Sequence, residues 1–290
     1  MPELPEEFVL PAGSVPDEAP DLPAVPRDAA TVMLVRDTDG PIEVFLLRRV
    51  VGMAFAGGMT VFPGGGVDER DLDASVAWHG PDAAWWAERF GCSESLARAL
   101  VCAAVRETFE ESGVLLAGPD AGSVVSDTTP YHAARQELVD KEYSFASFLA
   151  AHGLVLRADL LRPWANWVTP AEEPRRYDTR FFLAAMPEGQ LADGATTEAD
   201  DAGWQRPAEA IEDWKRGARG LMPPTWVALA ELDSCAGVAA AMATPRTVEK
   251  IIPKVVRDGT ALRVVLPGDT GYGGAANHLD ARRDDRLEPR

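Results

Sequence analysis

Residues 93–113, SESLARALVCAAVRETFEESG, constrain the fold more than any other stretch of the chain. Leu96, Leu100, Ala103 and Ala104 recur on one helical face, and Val101, Val105 and Phe109 form a second apolar stripe. A helix apolar on two sides has to be sandwiched, so the chain must supply packing partners on both flanks. Ser93 or Ser95 is the expected N-cap, and Gly113 the residue that ends the helix after Ser112. The same helix finishes with Glu107, Glu110 and Glu111 at i, i+3 and i+4, on one face within a turn. Three adjacent like charges oppose folding unless something neutralises them. A solvated acidic face is the ordinary solution, but a sandwiched helix turns its acidic end into a cleft. There a divalent cation with oxygen ligands, Mg²⁺ in particular, is the natural counter-charge. Arg106 is spaced to pair with Glu110 at i+4 and hold it in one orientation.

Strands are expected on either side of this helix. ATVMLV (residues 30–35), the turn DTDG and IEVFLLRR (42–49) read as a hairpin, and a short strand follows at 59–62. Behind it stands VFPGGGVDERDLDAS (61–75), where three glycines expose bare backbone just before a run of acids. Residues 72–94 read as an amphipathic helix with Trp78, Trp85, Trp86 and Phe90 packing onto the core. VLLAG (114–118) reads as a strand and 130–152 as a helix. NWVTP and TRFFLAAM read as two strands around a polar loop. TEADDAGWQRPAEAIEDWKRG leads from a turn into a strand end and then a helix. PPTWVALAELDSCAGVAAAMA reads as a helix pair, and IIPKVVRDGTALRVVLPGD as a hairpin around Asp258-Gly259. Three segments result: a Pro-rich extended arm over 1–26, a main domain over 27–215, and an appendage of helices and hairpin over 216–290 with a frayed tail.

Composition narrows the partners. A net charge of −18 argues against a nucleic acid or an anionic membrane held on a basic surface. No apolar run is long enough to span a bilayer, and the acidic N-terminus resembles no signal or transit peptide. Cys92, Cys102 and Cys235 are odd in number and show no CxxC spacing, which points to small buried hydrophobes in a reducing, cytoplasmic setting. His79, His132, His152 and His278 are scattered without ligand spacing. An anionic substrate must therefore be met by local Arg or Lys side chains or by bound cations.

The glycine loop and RETFEESGV together resemble the Nudix box, G-x5-E-x7-R-E-U-x-E-E-x-G-U with U apolar. Gly65 opens it, and Arg106, Glu107, Glu110, Glu111, Gly113 and Val114 match its second half in order and spacing. Asp71 takes the place of the first glutamate and Thr108 that of an apolar residue. Between Asp71 and Arg106 lie 34 residues, where the usual box has seven. The surplus is the Trp-rich segment. VFLLRRVVGMAFAGGMTVFPGG and NWVTPAEEPRRYDTRFFLA further resemble the branch that includes peroxisomal coenzyme A diphosphatases, whose box is also interrupted. In that branch's coenzyme A signature an Arg is expected four residues before the Gly of GxxxFPGG, where this chain has Ala54.

The resemblance implies a Nudix α/β/α sandwich with a mixed sheet, a helical insertion within the box and a C-terminal helical extension. It implies hydrolysis of the pyrophosphate of a nucleoside diphosphate linked to another group, aided by Mg²⁺ or Mn²⁺. Coenzyme A or an acyl-coenzyme A is the favoured substrate. The alternatives are a sugar nucleotide, ADP-ribose, NADH or a dinucleoside polyphosphate, or a sensing module without turnover. By the match, Glu107, Glu110, Glu111 and the backbone of Gly65 would hold the metal, with Glu107 also able to polarise the attacking water. Arg106 and Glu110 complete the catalytic set. The family often places a further glutamate in a later loop. Glu198 is the best positional candidate, with Glu172 and Glu173 next. Arg48, Arg175 and Arg176, with Gly64 and Gly65, are the expected contacts to substrate, although these arginines, like Arg180, can equally pair with surface acids. The C-terminal appendage is a candidate homodimer surface.

Overall fold

The structure is a computed structural model that describes residues 2–5, 8, 22–53, 56–73, 75–258, 261–269 and 272–273. Most of the Pro-rich arm, Ala54, the turn residue Gly259 and the tail beyond Gly273 lie outside them.

Strand β1 (Arg27–Arg36) is buried without interruption from Ala29 to Val35, because both of its faces are covered. It runs antiparallel to β2 (Glu43–Arg49), pairing Val35 with Val44 and forming the expected hairpin. β3 (Met59–Val61) continues the sheet beside β2, and β4 (Gly64–Gly66) pairs with Ala29–Thr31 of β1. A two-residue strand β5 (Trp78–His79) precedes helices α1 (Ala83–Phe90) and α2 (Glu94–Ser112). Next come β6 (Ala117–Gly118), α3 (His132–Val139), α4 (Phe145–Ala151) and β7 (Val155–Arg157), with β5, β7 and β6 forming a small separate sheet. The main sheet resumes with β8 (Leu161–Val168), β9 (Tyr177–Ala185) and β10 (Ala199–Gln205). β9 lies parallel to β1 over its length, whereas β10 pairs antiparallel with β2, so the sheet is mixed. α5 (Pro207–Lys215), β11 (Gly220–Leu221), α6 (Pro223–Asp233), α7 (Val238–Ala243), β12 (Lys250–Ile251) and the hairpin β13 (Lys254–Asp258) and β14 (Ala261–Val265) complete the chain.

Alternation along the strands builds two cores. Ala30, Val32 and Leu34 of β1, Phe45 and Leu47 of β2 and Phe182 of β9 face α1 and α2. Their neighbours Met33, Val35, Val44, Leu46 and Leu183 face α6, through Trp226, Val227, Leu229 and Leu232. The architecture is an α/β/α sandwich, with α2 embedded as its two apolar stripes require.

Several elements differ from the sequence expectation. α6 is no appendage beginning near 216: it supplies the second helical layer and closes the sheet's other face. Phe8, within the arm, is buried and stacks on Trp214 of α5. The helix expected over 72–94 is cut to eight residues, because Gly80 has a φ of 111° and Pro81 cannot donate to a helix, so α1 starts only after the Asp82 cap. Trp86 and Phe90 pack as expected, stacked on each other and meeting Phe182 at a tilt and edge-on. The helix expected over 130–152 splits at Lys141, which has a φ of 59°, and Ser144 caps its second half. VLLAG contributes only its last two residues to a strand, since the main chain of Leu115 is paired instead with the amide side chain of Gln190. Among the described residues no helix is long and apolar enough to cross a membrane.

Candidate active site

Ser93 caps α2 by accepting the Leu96 N–H, and Gly113 ends it at a φ of 72°. Thr108, at a position where an apolar residue is usual, is fully buried; its hydroxyl donates to the Ala104 carbonyl at 2.7 Å. That bond satisfies the hydroxyl inside the helix, so the substitution leaves no unpaired polar group.

The last two turns of α2 lie over β4, and Arg106 is the centre of what they build. Its Nε and Nη2 donate to the two carboxylate oxygens of Asp71 at 2.9 Å each. Its Nη1 donates to Glu107 at 2.8 Å and to Glu110 at 3.1 Å, and Nη2 also reaches the Gly66 carbonyl. Asp71, itself buried, further accepts the Asp68 N–H within a one-turn capped helix at Glu69–Leu72. Glu111 accepts the Gly64 N–H at 2.8 Å. Gly65 lies directly over Glu107, and a Cβ there would come within 2.5 Å of the Glu107 Oε1. Both halves of the divided motif therefore meet in one place, and Asp71 serves as the anchor of Arg106.

Burial dominates the electrostatics. It pushes Glu107 up to about 7, against the pull of Arg106 and with the added repulsion of Glu110. Glu110 is raised for the same reason, opposed by Arg106. Glu111 is held well above the usual carboxylate range by burial and by Glu107.

Glu198, the sequence candidate for a further glutamate, lies in the loop before β10. Glu111 feels its negative charge, and Arg49 reaches Glu198 at 3.2 Å. The loop bearing Glu198 leads into β10, and the Glu198 carbonyl accepts the Val50 N–H. Arg48, singled out from the sequence, is exposed on the other face of β2 and pairs with Asp200 at 2.6 Å. Arg49 shares the face of Phe45 and Leu47 and so turns toward the glutamates. Counting back in twos from Arg49 to those residues was the available signal. Arg176 donates to the carbonyls of Thr169 and Ala24, bracing the start of β9, and Arg175 next to it is exposed. Arg180 is buried between Asp28 and Asp178. Glu172 and Glu173 sit in the β8–β9 loop, where burial and the charge of Glu172 push Glu173 up to about 7. The three cysteines are unpaired, and burial raises each thiol.

Among the described residues no three acidic, histidine or cysteine side chains stand as a ready metal cage, since Arg106 and Gly64 engage the carboxylates. The donor chemistry nevertheless fits a hard cation: Glu107, Glu110 and Glu111 offer only oxygen, and Asp71 takes the Nε and Nη2 of Arg106. Gly65 leaves bare backbone against the Glu107 side chain.

Residues 91–232 match the family model of the NUDT19 Nudix domain, beginning just after α1. An acyl-coenzyme A diphosphatase NUDT19 of Xenopus laevis is 26% identical over 227 residues, covering 66% of this chain. The Homo sapiens protein of the same name is 26% identical over 277 residues, covering 79% of this chain and 72% of its own length. The chain spans 59% of the Xenopus protein and 57% of a Caenorhabditis elegans relative, less than two thirds of either. The crystal structure of a Nudix hydrolase from Alicyclobacillus acidocaldarius superposes with a TM-score of 0.60 at 28% identity, covering 77% of this chain and 98% of the other.

Proposed function

The chain belongs to the Nudix hydrolase superfamily, and we propose that it hydrolyses the pyrophosphate bond of a nucleoside diphosphate linked to another group. The observation that carries this reading is the buried carboxylate set at the end of α2, closed over the glycine loop by Arg106 and Asp71. Mg²⁺ or Mn²⁺, held by Glu107, Glu110, Glu111 and the Gly65 backbone, would supply charge neutralisation at the pyrophosphate. Arg106 keeps Glu107 and Glu110 in place and offsets part of the burial that raises both. Glu198, at the exposed rim and restrained by Arg49, orients the attacking water and receives its proton. Arg175 is free of the bracing contacts made by Arg176 and meets a substrate phosphate from the β8–β9 loop.

The favoured substrate is coenzyme A or an acyl-coenzyme A, supported by the names of the Xenopus and human relatives. Ala54, where the coenzyme A signature has Arg, favours a second reading in which another nucleotide conjugate is cleaved. A panel of coenzyme A, ADP-ribose, a sugar nucleotide, NADH and a diadenosine polyphosphate, with Mg²⁺ or Mn²⁺ and chromatographic product analysis, separates the two. Formation of phosphopantetheine and adenosine 3′,5′-bisphosphate supports the first, and preference for another member supports the second. Glu110→Gln should lower turnover by about 100-fold or more with the fold retained, and near wild-type turnover would remove Glu110 from the mechanism.

A further inference from the structure

Arg135 lies in α3, in a segment to which the sequence gives no functional role, yet it is 95% buried and every side of its guanidinium is engaged. Nε donates to the backbone carbonyl of Glu110 at 3.0 Å, in the last turn of α2. Nη1 donates to both carboxylate oxygens of Asp193 at 2.9 Å, and Nη2 reaches the Ala195 carbonyl at 3.4 Å. One side chain thus joins the end of α2 to the loop that carries Glu198.

The loop has little freedom left once that joint is made. Gln190 anchors its start by exchanging hydrogen bonds with the main chain of Leu115. The Asp193 N–H donates to the Ser112 carbonyl, and the Asp193 carboxylate then accepts the Ala195 N–H. Thr196 accepts the Glu198 N–H, and the Glu198 carbonyl is already tied to Val50. Gly113 is part of the same packing, because a Cβ there would stand 2.8 Å from Asp193 and 2.9 Å from Arg135.

We propose that Arg135 is a positioning residue for Glu198, setting the distance between the loop and the carboxylates of α2 through Asp193. The proposal rests on the reading of Glu198 as the group that orients water. A planar guanidinium can hold a helix carbonyl and a carboxylate at once in fixed directions, which the single ammonium of Lys cannot.

The test combines Arg135→Lys, Asp193→Asn and Glu198→Gln, assayed with Mg²⁺ on the panel substrate that the wild type cleaves fastest. Thermal unfolding and amide hydrogen exchange are followed alongside. Arg135→Lys should lower kcat by about tenfold while KM moves less than about threefold, since misplacement by a fraction of an ångström affects the transition state more than binding. In the Glu198→Gln background the same change should produce no additional loss. Independently of turnover, the amides of Asp193 and Ala195 should exchange faster in Arg135→Lys while those of α2 keep their protection. Asp193→Asn, on a less buried partner, should reproduce both effects more weakly and serves if Arg135→Lys does not fold. Losses that multiply with Glu198→Gln, unchanged loop exchange, or wild-type kcat in both Arg135→Lys and Asp193→Asn would overturn the proposal. Wild-type turnover in Glu198→Gln itself would overturn the underlying reading and the proposal with it. A large loss in Glu198→Gln beside unaffected Arg135→Lys and Asp193→Asn would overturn the proposal alone.

Discussion

Arg106 and Asp71 face each other through two parallel hydrogen bonds of 2.9 Å although they stand 35 positions apart. This fork is what permits an insertion inside a motif whose halves must touch. Lengthening a closed loop adds only about 0.6 kcal/mol per doubling, so one strong charge-assisted contact offsets a long insert. The inserted residues also repay their own ordering by burying Trp86 and Phe90.

Removing one partner of that fork leaves the other charge buried. Asp71→Ala should lower unfolding free energy by about 3–5 kcal/mol and abolish turnover, as breaking a buried pair does elsewhere. Urea denaturation measures the first effect. A variant within about 1 kcal/mol of wild type would show that Arg106 closes the loop without Asp71.

Two neighbouring glycines should respond differently to the same added methyl. At Gly65 the Cβ meets the end of the Glu107 side chain, which can move aside, so Gly65→Ala should cost turnover about 10–100-fold with little change in Tm. At Gly64 it meets the Ala30 carbonyl and the Thr31 backbone at 2.5 and 2.6 Å, so Gly64→Ala should lower Tm. Assays and melting curves of both variants side by side decide the matter; equal melting losses would contradict the distinction.

Glu107 and Glu173 each rise from an ordinary 4.5 to about 7 in the folded protein, chiefly through burial. The folded chain therefore holds more protons than the unfolded chain between those values. Stability should fall as pH rises through that window, and the contribution of these groups is fully present only below it. With chelator present, Tm should be higher at pH 5 than at pH 8. Glu107→Gln and Glu173→Gln should each flatten the dependence. Mg²⁺ should restore Tm at pH 8 through the Glu107 component only, and a pH-independent Tm in chelator would contradict the assignment.

Trp86 tests whether the inserted segment is part of the core. It is fully buried, stacks on Phe90 and contacts Phe182 of β9. Trp86→Ala should cost about 3–5 kcal/mol by denaturant titration, the range for a large aromatic removed from a packed interior. A change below about 1 kcal/mol would mark the insert as dispensable to folding.

The features that the sequence determined by itself are short-range ones. The two stripes of α2, its caps and the three glutamates at its end follow from helical spacing within about twenty residues, and β1 and β2 from their apolar runs. Glu198 was legible only as a position in a family pattern. Interruptions such as Gly80-Pro81 and the φ of 59° at Lys141 shorten helices that periodicity alone extends too far. Everything that depends on which distant surfaces meet was decided in three dimensions. Packing chose which face of β2 turns toward α2, and so brought in Arg49 and left Arg48 outside. It drew α6 over the far side of the sheet, because a strand apolar on both faces must be covered on both. It also brought Arg106 to Asp71 and Arg135 to Asp193, pairs 35 and 58 residues apart whose geometry no local repeat encodes. Local spacing sets where a side chain points along its own element, but only the burial of whole faces sets what it meets.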